Sequence, residues 1–228
     1  MTLQIGLLLF PQVQQLDLTA PYEVFATLPG TAVRLVAKRL GPVRSVTGLW
    51  LSPDVDFAGC PALDVLCVPG GIGVNALLED AETLAFIQRQ AAGARFVTSV
   101  CTGALALGAA GLLRGRRATT HWAAHDLLAG FGAIPVRGRV VRDGNLLTGG
   151  GVTAGIDFAL ALAAELQGQA AAEAVQLQLE YAPAPPFDAG SPETAPAAVL
   201  EAVRARSAGL RAERAALLQR WQARTPVA

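Results

Sequence analysis

Histidine and cysteine are scarce in this chain, which has two of the former and three of the latter among 228 residues. An odd number of widely spaced cysteines does not form a disulfide framework, and no two of them form a Cys-x-x-Cys pair that would bind a metal. Two histidines contribute little to a zinc site. The sequence therefore predicts a protein without a metal.

The chain also lacks an excess of charge, since 18 basic side chains balance 18 acidic ones. No overall field would attract it to nucleic acid or to an anionic membrane surface. No apolar run reaches membrane-spanning length without glycines, polar residues or turns. The apolar first ten residues have no basic segment and end at Pro11, which indicates a first buried strand and not a signal peptide. These absences predict a soluble, cytoplasmic protein with no nucleic-acid or membrane partner.

Apolar strand-like segments alternate with helical ones over the first 180 residues. Hydrophobic residues make up 52% of the chain, which is enough to bury a substantial core. Buried strands are expected near residues 5–10, 32–36, 64–68 and 95–100, hairpins over 44–57 and 136–148, and helices from near 17, over 79–92 and over 152–168. This alternation predicts an α/β fold, with a parallel sheet covered by helices on both faces.

The tail beyond residue 180 has a different character. Prolines stiffen residues 181–192 into an extended arm. Apolar residues then recur at helical spacing over 194–224: Val199, Val203, Leu210, Leu217, Leu218 and Trp221. We expect a domain over residues 1–180, followed over 181–228 by an arm and a helix that are not a separate domain. The helix would pack on the body or on a partner subunit.

The most informative segment is the end of the strand predicted over residues 95–100. Cys101 follows this strand, and a helix rich in Ala, Leu and Gly begins at once. A side chain on so sharp a turn, a nucleophile elbow, is lifted clear of the sheet. The helix N-terminus would favour a thiolate and lower the pKa of Cys101. The alternative is that Cys101 is a small buried hydrophobic residue.

Other connections should meet Cys101, because ligands bind beyond the carboxyl ends of parallel strands. Asp17 could exchange a proton with the thiol, since burial near an anion raises a carboxyl pKa, or it could only cap a helix. Thr102 could donate its amide and hydroxyl, or be a routine early-helix residue. Gly71 and Ile72 could offer backbone amides to the substrate, or form a plain turn.

Glycines also precede the helix predicted near residue 152. Gly150 is among them and is expected to bring backbone close to the substrate, in a segment that could shift as the charge on sulfur is discharged. A Cys–His pair is the usual way to activate a thiol. A structural role is nevertheless favoured for His121, and Cys60 and Cys67 are also expected to be structural.

Four segments of the sequence together resemble the ThiJ/PfpI superfamily: Cys101-Thr102-Gly103-Ala104, Ala110-Gly111-Leu112-Leu113, Ala118-Thr119-Thr120-His121-Trp122 and Gly151-Val152-Thr153-Ala154-Gly155-Ile156-Asp157. The resemblance implies a flavodoxin-like fold, related to the class I glutamine amidotransferase domain, over roughly residues 1–180. Sensor domains of AraC-type transcription regulators share this signature. Fold is therefore implied more firmly than function.

Residues 176–192, together with Leu16-Asp17, resemble the isonitrile-hydrating members of that superfamily. The resemblance implies a homodimeric enzyme that adds water to a small-molecule isonitrile, giving an N-substituted formamide. Because sulfur is a soft nucleophile, our hypothesis is that a thioimidate forms on Cys101 and that no cofactor is needed. Cys101 matches the nucleophile of these relatives, and Asp17 and Thr102 match their supporting residues. We expect Asp17 to act as the general acid and base. His121 matches no catalytic position, which argues against the protease and deglycase activities of other relatives.

Two other functions remain open from the sequence. A sensor or regulator could bind a ligand in the same crevice without turning it over. A redox-sensing or chaperone-like protein could use oxidation of Cys101 as its signal, since a reactive cysteine serves both chemistries.

Overall fold

A seven-stranded sheet lies at the centre of the computed structural model, which describes residues 2–224. The strands are β1 (Leu3–Leu9), β2 (Thr31–Ala37), β3 (Val43–Arg44), β4 (Trp50–Leu51), β5 (Val55–Asp56), β6 (Val65–Val68), β7 (Phe96–Val100), β8 (Arg117–Ala118), β9 (Ile134–Pro135), β10 (Val140–Asp143) and β11 (Leu146–Gly149). The helices are α1 (Gln15–Thr27), α2 (Val74–Leu77), α3 (Ala81–Gly93), α4 (Gly103–Ala109), α5 (Ala154–Gln167), α6 (Gln169–Gln178) and α7 (Ala197–Arg224), with a 3-10 helix at Trp122–Phe131.

The strand order in the sheet is β10-β11-β7-β6-β1-β2-β5. All neighbouring strands are parallel except β10 and β11, which form the hairpin expected around Gly144. The carboxyl ends of β1, β6, β7 and β11 therefore lie at one edge of the sheet. The predicted α/β fold is confirmed.

The central strand β1 is buried along most of its length. Ile5, Leu7, Leu8 and Leu9 are all nearly inaccessible to solvent. Successive side chains of a strand point to opposite faces of the sheet. A strand that is buried on both faces therefore has a continuous run of apolar residues in its sequence. Helices α1, α5 and α6 contact one another as one group, and α2, α3, α4, α7 and the 3-10 helix form another.

One early segment differs from the expectation. Residues 44–57 were expected to form a hairpin excursion, but only β3 and β4 pair in this way. Strand β5 instead lies parallel to β2 and forms an edge of the main sheet. A two-residue strand carries too little apolar pattern to indicate which partner it will take.

The second half of α7 packs on the body of its own subunit. Leu217, Leu218 and Trp221 are buried, and the indole N–H of Trp221 donates to the carbonyl oxygen of Ala109 at 3.1 Å. The indole also lies against Phe131, with 4.9 Å between ring centroids. Val199, expected on the apolar face, is instead 48% exposed. Within residues 2–224, no helix combines the length and apolar character needed to cross a membrane.

Replacing Trp221 should destabilise the fold through its C-terminal helix. We expect Trp221→Ala to lower the free energy of unfolding by about 3–5 kcal/mol, since it leaves a cavity and an unpaired carbonyl. Urea unfolding followed by circular dichroism measures the change. Val199→Ala is the matched control on the same helix and should have a small effect. Equal effects of the two substitutions would contradict the packing described for α7.

Candidate active site

The backbone at Cys101 adopts a left-handed conformation, with φ of 55°. A residue with a Cβ pays roughly 1–2 kcal/mol for this conformation, so neighbouring contacts must hold it. The Cys101 N–H donates to the carbonyl oxygens of both Gly149, at 3.1 Å, and Gly150, at 2.8 Å. The Thr120 hydroxyl donates to the Cys101 carbonyl oxygen at 2.7 Å. The end of β11 thus fixes the turn that presents the thiol.

Glycine at position 103 lets α4 begin directly over the end of β6. A Cβ at Gly103 would collide with the carbonyl oxygen of Val68. Any larger residue would push the helix away from the sheet and displace the turn. Glycine at position 103 is therefore a steric requirement of this elbow.

Asp17 is fully buried in the first turn of α1. Its Oδ2 accepts the Gly70 N–H at 3.0 Å, whereas Oδ1 has no hydrogen bond of normal geometry within the described part of the chain. Burial raises the pKa of Asp17 to about 7, although interactions with the Cys101 thiol and the Gly70 N–H both lower it. Both protonation states of this carboxyl are accessible near neutral pH.

The alternative that Asp17 caps a helix is wrong. Gln14 occupies the N-cap position of α1, and no side chain caps that end. The Asp17 carboxyl points instead to the loop after β6. Glycine at position 70 makes room for it, since a Cβ there would lie 2.7 Å from Asp17 Oδ2 and 2.6 Å from the Thr102 nitrogen.

The pKa of Cys101 is raised well above its ordinary value, contrary to the expectation of a lowered one. Burial is the main cause, since the side chain is only 6% exposed, and the negative charge of Asp17 adds to it. The Thr102 N–H and the charge of Arg214 act in the opposite direction. A raised pKa keeps the sulfur protonated at neutral pH, so a neighbouring base would be needed to form the thiolate.

Thr102 and Gly71 are bound to each other. The Gly71 N–H donates to Thr102 Oγ1 at 3.1 Å, and that hydroxyl approaches the Gly71 carbonyl oxygen at 3.3 Å. The amide of Gly71 is therefore not free for a substrate, contrary to the role expected for it. No hydrogen-bond partner is found within residues 2–224 for the amide of Ile72, whose side chain is 44% exposed.

Gly150 supports the elbow and does not present a free amide. Its N–H donates to the Arg139 carbonyl oxygen at 2.8 Å, and its own carbonyl holds Cys101. His121 caps the 3-10 helix, because its Nδ1 accepts the Ala123 N–H at 3.2 Å. Burial, and secondarily the charge of Arg214, lower the pKa of His121. This contact is the structural role that the sequence favoured for this histidine.

Sequence reasoning missed Arg214 and Asn75. Arg214 lies on α7 and is buried, and its Nε donates to Asn75 Oδ1 at 3.0 Å while Nη2 donates to the Gly71 carbonyl oxygen at 3.1 Å. One signal was available. Arg214 falls at helical spacing on the face that also carries the buried residues Leu217, Leu218 and Trp221.

The assembled site contains a thiol, a carboxyl whose pKa lies near neutrality, and a buried guanidinium. Cys101 lies at the end of β7, Asp17 in the first turn of α1, and Arg214 on α7. In the part of the chain described, no group of three or more His, Cys, Asp or Glu side chains is arranged to hold a metal ion. This set of groups suits addition to an electrophilic carbon, with one proton moving between sulfur and carboxylate.

The sequence matches the DJ-1/PfpI family over residues 4–165. The chain belongs to this family. A crystal structure of a ThiJ/PfpI family protein from Pseudomonas syringae is similar to the present DJ-1/PfpI structure with a TM-score of 0.93 and 50% identity, covering 96% of this chain and 91% of that one. The superfamily resemblance expected from the sequence is confirmed.

Two curated relatives of this DJ-1/PfpI protein differ in how far the similarity extends. The isonitrile hydratase of Pseudomonas putida is 69% identical over 208 residues, which cover 91% of each chain. The HTH-type transcriptional regulator GbdR of Pseudomonas aeruginosa is 33% identical over 139 residues, covering 59% of this chain and 37% of the regulator. An alignment of 208 residues is longer than the segment 1–180, so the similarity to the hydratase extends into the tail.

Removing the Asp17 charge should change how stability depends on pH. The carboxyl pKa is about 7 in the folded protein against an ordinary 3.8, so the folded state binds a proton that the unfolded chain has lost. Binding of this proton stabilises the folded state. The stabilisation is fully present below about pH 4 and is lost as pH rises to about 7. Asp17→Asn removes the titration while an amide oxygen can still accept the Gly70 N–H.

We therefore expect the free energy of unfolding of Asp17→Asn to increase relative to wild type by a few kcal/mol between about pH 4 and pH 8. The difference should grow by ~1.4 kcal/mol per pH unit while pH lies between the two pKa values. Urea denaturation across this range measures the difference. Parallel pH profiles for the two proteins would show that Asp17 has an ordinary pKa.

Proposed function

We propose that this protein is an isonitrile hydratase, which converts R–N≡C and water into an N-substituted formamide. The observation that carries the proposal is the buried pair of Cys101 and Asp17, in which a thiol faces a carboxyl with a pKa of about 7. The 69% identity to a curated isonitrile hydratase supports the same conclusion. That identity also confirms the expectation of an enzyme.

The first half of the reaction forms a thioimidate. Asp17 takes the thiol proton as Cys101 sulfur bonds to the terminal carbon of the isonitrile, an electrophile that suits a soft nucleophile. The lone pair on that carbon then takes the same proton from Asp17. The product is R–N=CH–S–Cys101, and the carboxylate is restored. The proton crosses between groups that already interact, so no histidine is required.

The second half hydrolyses this intermediate. Asp17 accepts a proton from water as the water oxygen bonds to the thioimidate carbon, and the nitrogen is protonated in turn. The C–S bond of the resulting tetrahedral intermediate then breaks. The hydroxyl proton passes through Asp17 to sulfur, which releases R–NH–CHO and restores the Cys101 thiol. The sum is one isonitrile and one water giving one formamide.

The Cys101 sulfur lies in a confined site, which favours an electrophile whose reacting end is narrow. Cys101 is 6% exposed and sits among backbone groups that are already hydrogen-bonded to one another. The terminal carbon of an isonitrile carries no substituent beyond nitrogen, so it can approach a sulfur that a branched carbonyl compound would reach poorly. The free amide of Ile72 is a candidate contact for the substrate or for water. The active form is proposed to be a homodimer.

A redox-sensing role is less well supported. Sensor cysteines have a low pKa and are accessible to solvent, because oxidants react with the thiolate. Cys101 has a raised pKa and is buried. The similarity to the regulator GbdR covers only 59% of this chain, and residues 181–224 form an arm and a single helix.

Loss of Cys101 should abolish turnover. We expect Cys101→Ser to form no measurable formamide from a simple alkyl isonitrile, whereas wild type forms it catalytically. Acid quenching of wild type during turnover should show, by intact mass spectrometry, an adduct with the mass of the isonitrile on Cys101. Cys60→Ser is the matched control, because Cys60 lies outside the site. Near-normal turnover by Cys101→Ser would exclude covalent catalysis.

The reaction should depend on ionisation of Asp17. The productive site holds one proton between Cys101 and Asp17, and a second proton binds as pH falls through about 7. We expect kcat/KM for formamide formation to fall about tenfold per pH unit below that value. Asp17→Asn should lose most of the rate and this limb of the profile. A wild-type profile that stays flat from pH 8 to about pH 5 would remove Asp17 from the proton transfers.

A further inference from the structure

We infer that Arg214 is a positioning residue of the active site, whose buried guanidinium supplies the positive charge that balances the negative charge shared by Cys101 and Asp17. This inference rests on the proposed function for its role in turnover. It assigns a function in the chemistry to α7, the helix that follows the extended arm. Helix α7 would then be part of the catalytic apparatus and more than a cover for the body.

The first support is that Arg214 has no acidic partner. It is only 7% exposed, yet no carboxylate lies within ion-pair distance in residues 2–224. Arg211, Arg220 and Arg224 on the same helix all form exposed ion pairs, with Asp126 or Glu79. Burying an uncompensated charge is costly, so a buried guanidinium is normally paired. The hydrogen-bond partners of Arg214, which are Asn75 and the Gly71 carbonyl, are uncharged, so a balancing negative charge would lie beyond them.

The active site is the nearby source of negative charge. The Arg214 Nη2 binds the carbonyl oxygen of Gly71, which the Thr102 hydroxyl also approaches, and the Thr102 N–H interacts with the Cys101 sulfur. A short chain of contacts thus joins the guanidinium to the elbow. The charge of Arg214 lowers the pKa of Cys101, and the Cys101 thiolate reciprocally raises that of Arg214. Above the pKa of Asp17 the pair holds one proton and one negative charge, whichever group carries that proton.

Other charged groups near Arg214 do not take this role. Glu213 neighbours it on α7 and acts on it only at a distance. Asp126 on the 3-10 helix forms an ion pair with Arg211. His121, which caps that helix, has a lowered pKa that keeps it neutral. Helix α2 contributes Asn75, which is uncharged. Asp17 is the carboxyl that α1 brings to the site.

The experiment separates the charge of Arg214 from its hydrogen bonds. Arg214→Lys keeps the charge, and Arg214→Gln keeps a donor for Asn75 or Gly71 without it. The readout is the rate at which iodoacetamide alkylates Cys101 between pH 6 and pH 10, measured by peptide mass spectrometry. We expect Arg214→Gln to move the profile up by about one pH unit, so that alkylation at a fixed pH below the transition is about tenfold slower. Arg214→Lys should retain most of the wild-type rate.

Arg211→Gln is the matched control, because it removes an arginine and an ion pair from the same helix, close to Arg214. It should leave the alkylation profile unchanged. A purely structural role for Arg214 would alter stability but would not separate Lys from Gln in the pH profile. Urea unfolding of each variant measures stability independently.

A second variant tests the inference with Arg214 in place. Asn75→Asp puts a carboxylate at the atom that accepts the Arg214 Nε, now 3.0 Å away, with almost no change of shape. The guanidinium would then be neutralised by position 75, and the alkylation profile should again move to higher pH. This variant remains informative if Arg214→Gln does not fold.

The inference is overturned if the alkylation profiles of wild type, Arg214→Gln and Asn75→Asp coincide. Alkylation requires no isonitrile, so the result is independent of the proposed function. Formamide formation by the same proteins is measured in parallel. Absence of formamide from wild type would refute the hydratase, and a normal rate from Arg214→Gln would refute the role of Arg214 in turnover.

Discussion

The burial of one negative charge beside a thiol is the constraint on which this structure depends. Asp17 has no exposed surface, and desolvation moves its pKa close to neutrality. The same burial raises the pKa of the Cys101 thiol, so the proposed reaction starts from a thiol beside a carboxyl group that can take its proton. A buried carboxylate lowers the stability of the folded protein, and functional sites commonly retain such a group at that cost. The base in the proposed reaction is this destabilised carboxylate.

The parallel sheet explains how distant segments reach this charge. Four strand ends meet at one edge, so loops that are far apart in sequence become neighbours. These segments can approach one another closely only where residues are small. A Cβ at Gly70 or Gly103 would collide with the backbone of a neighbouring segment. Hydrogen bonds between neighbouring segments occupy the amides of Gly71 and Gly150, and the proposed chemistry therefore rests on the carboxyl and the thiol.

The roles of individual groups were less predictable than their location. The position of Cys101 at an elbow and of Asp17 beside it followed from strand ends and motif. The direction of the Cys101 pKa did not, because a helix N-terminus is visible in sequence whereas the depth of burial is not. The amides of Gly71 and Gly150 were expected to face substrate, but Thr102 and Arg139 occupy them. These hydrogen-bond partners lie on segments that are distant in sequence, so the local pattern did not indicate them.

The α/β class, the elbow at Cys101 and the family could be predicted from the sequence, because hydrophobic period, glycine placement and short motifs are local properties. The raised pKa values of Asp17 and Cys101 and the burial of Arg214 are visible only in the folded protein. Both depend on how much protein surrounds a charge and on which distant residues approach it. Arg214 lies 113 positions after Cys101 and reaches the site only because Leu217, Leu218 and Trp221 fix α7 on the body. A pattern along the chain does not encode that proximity.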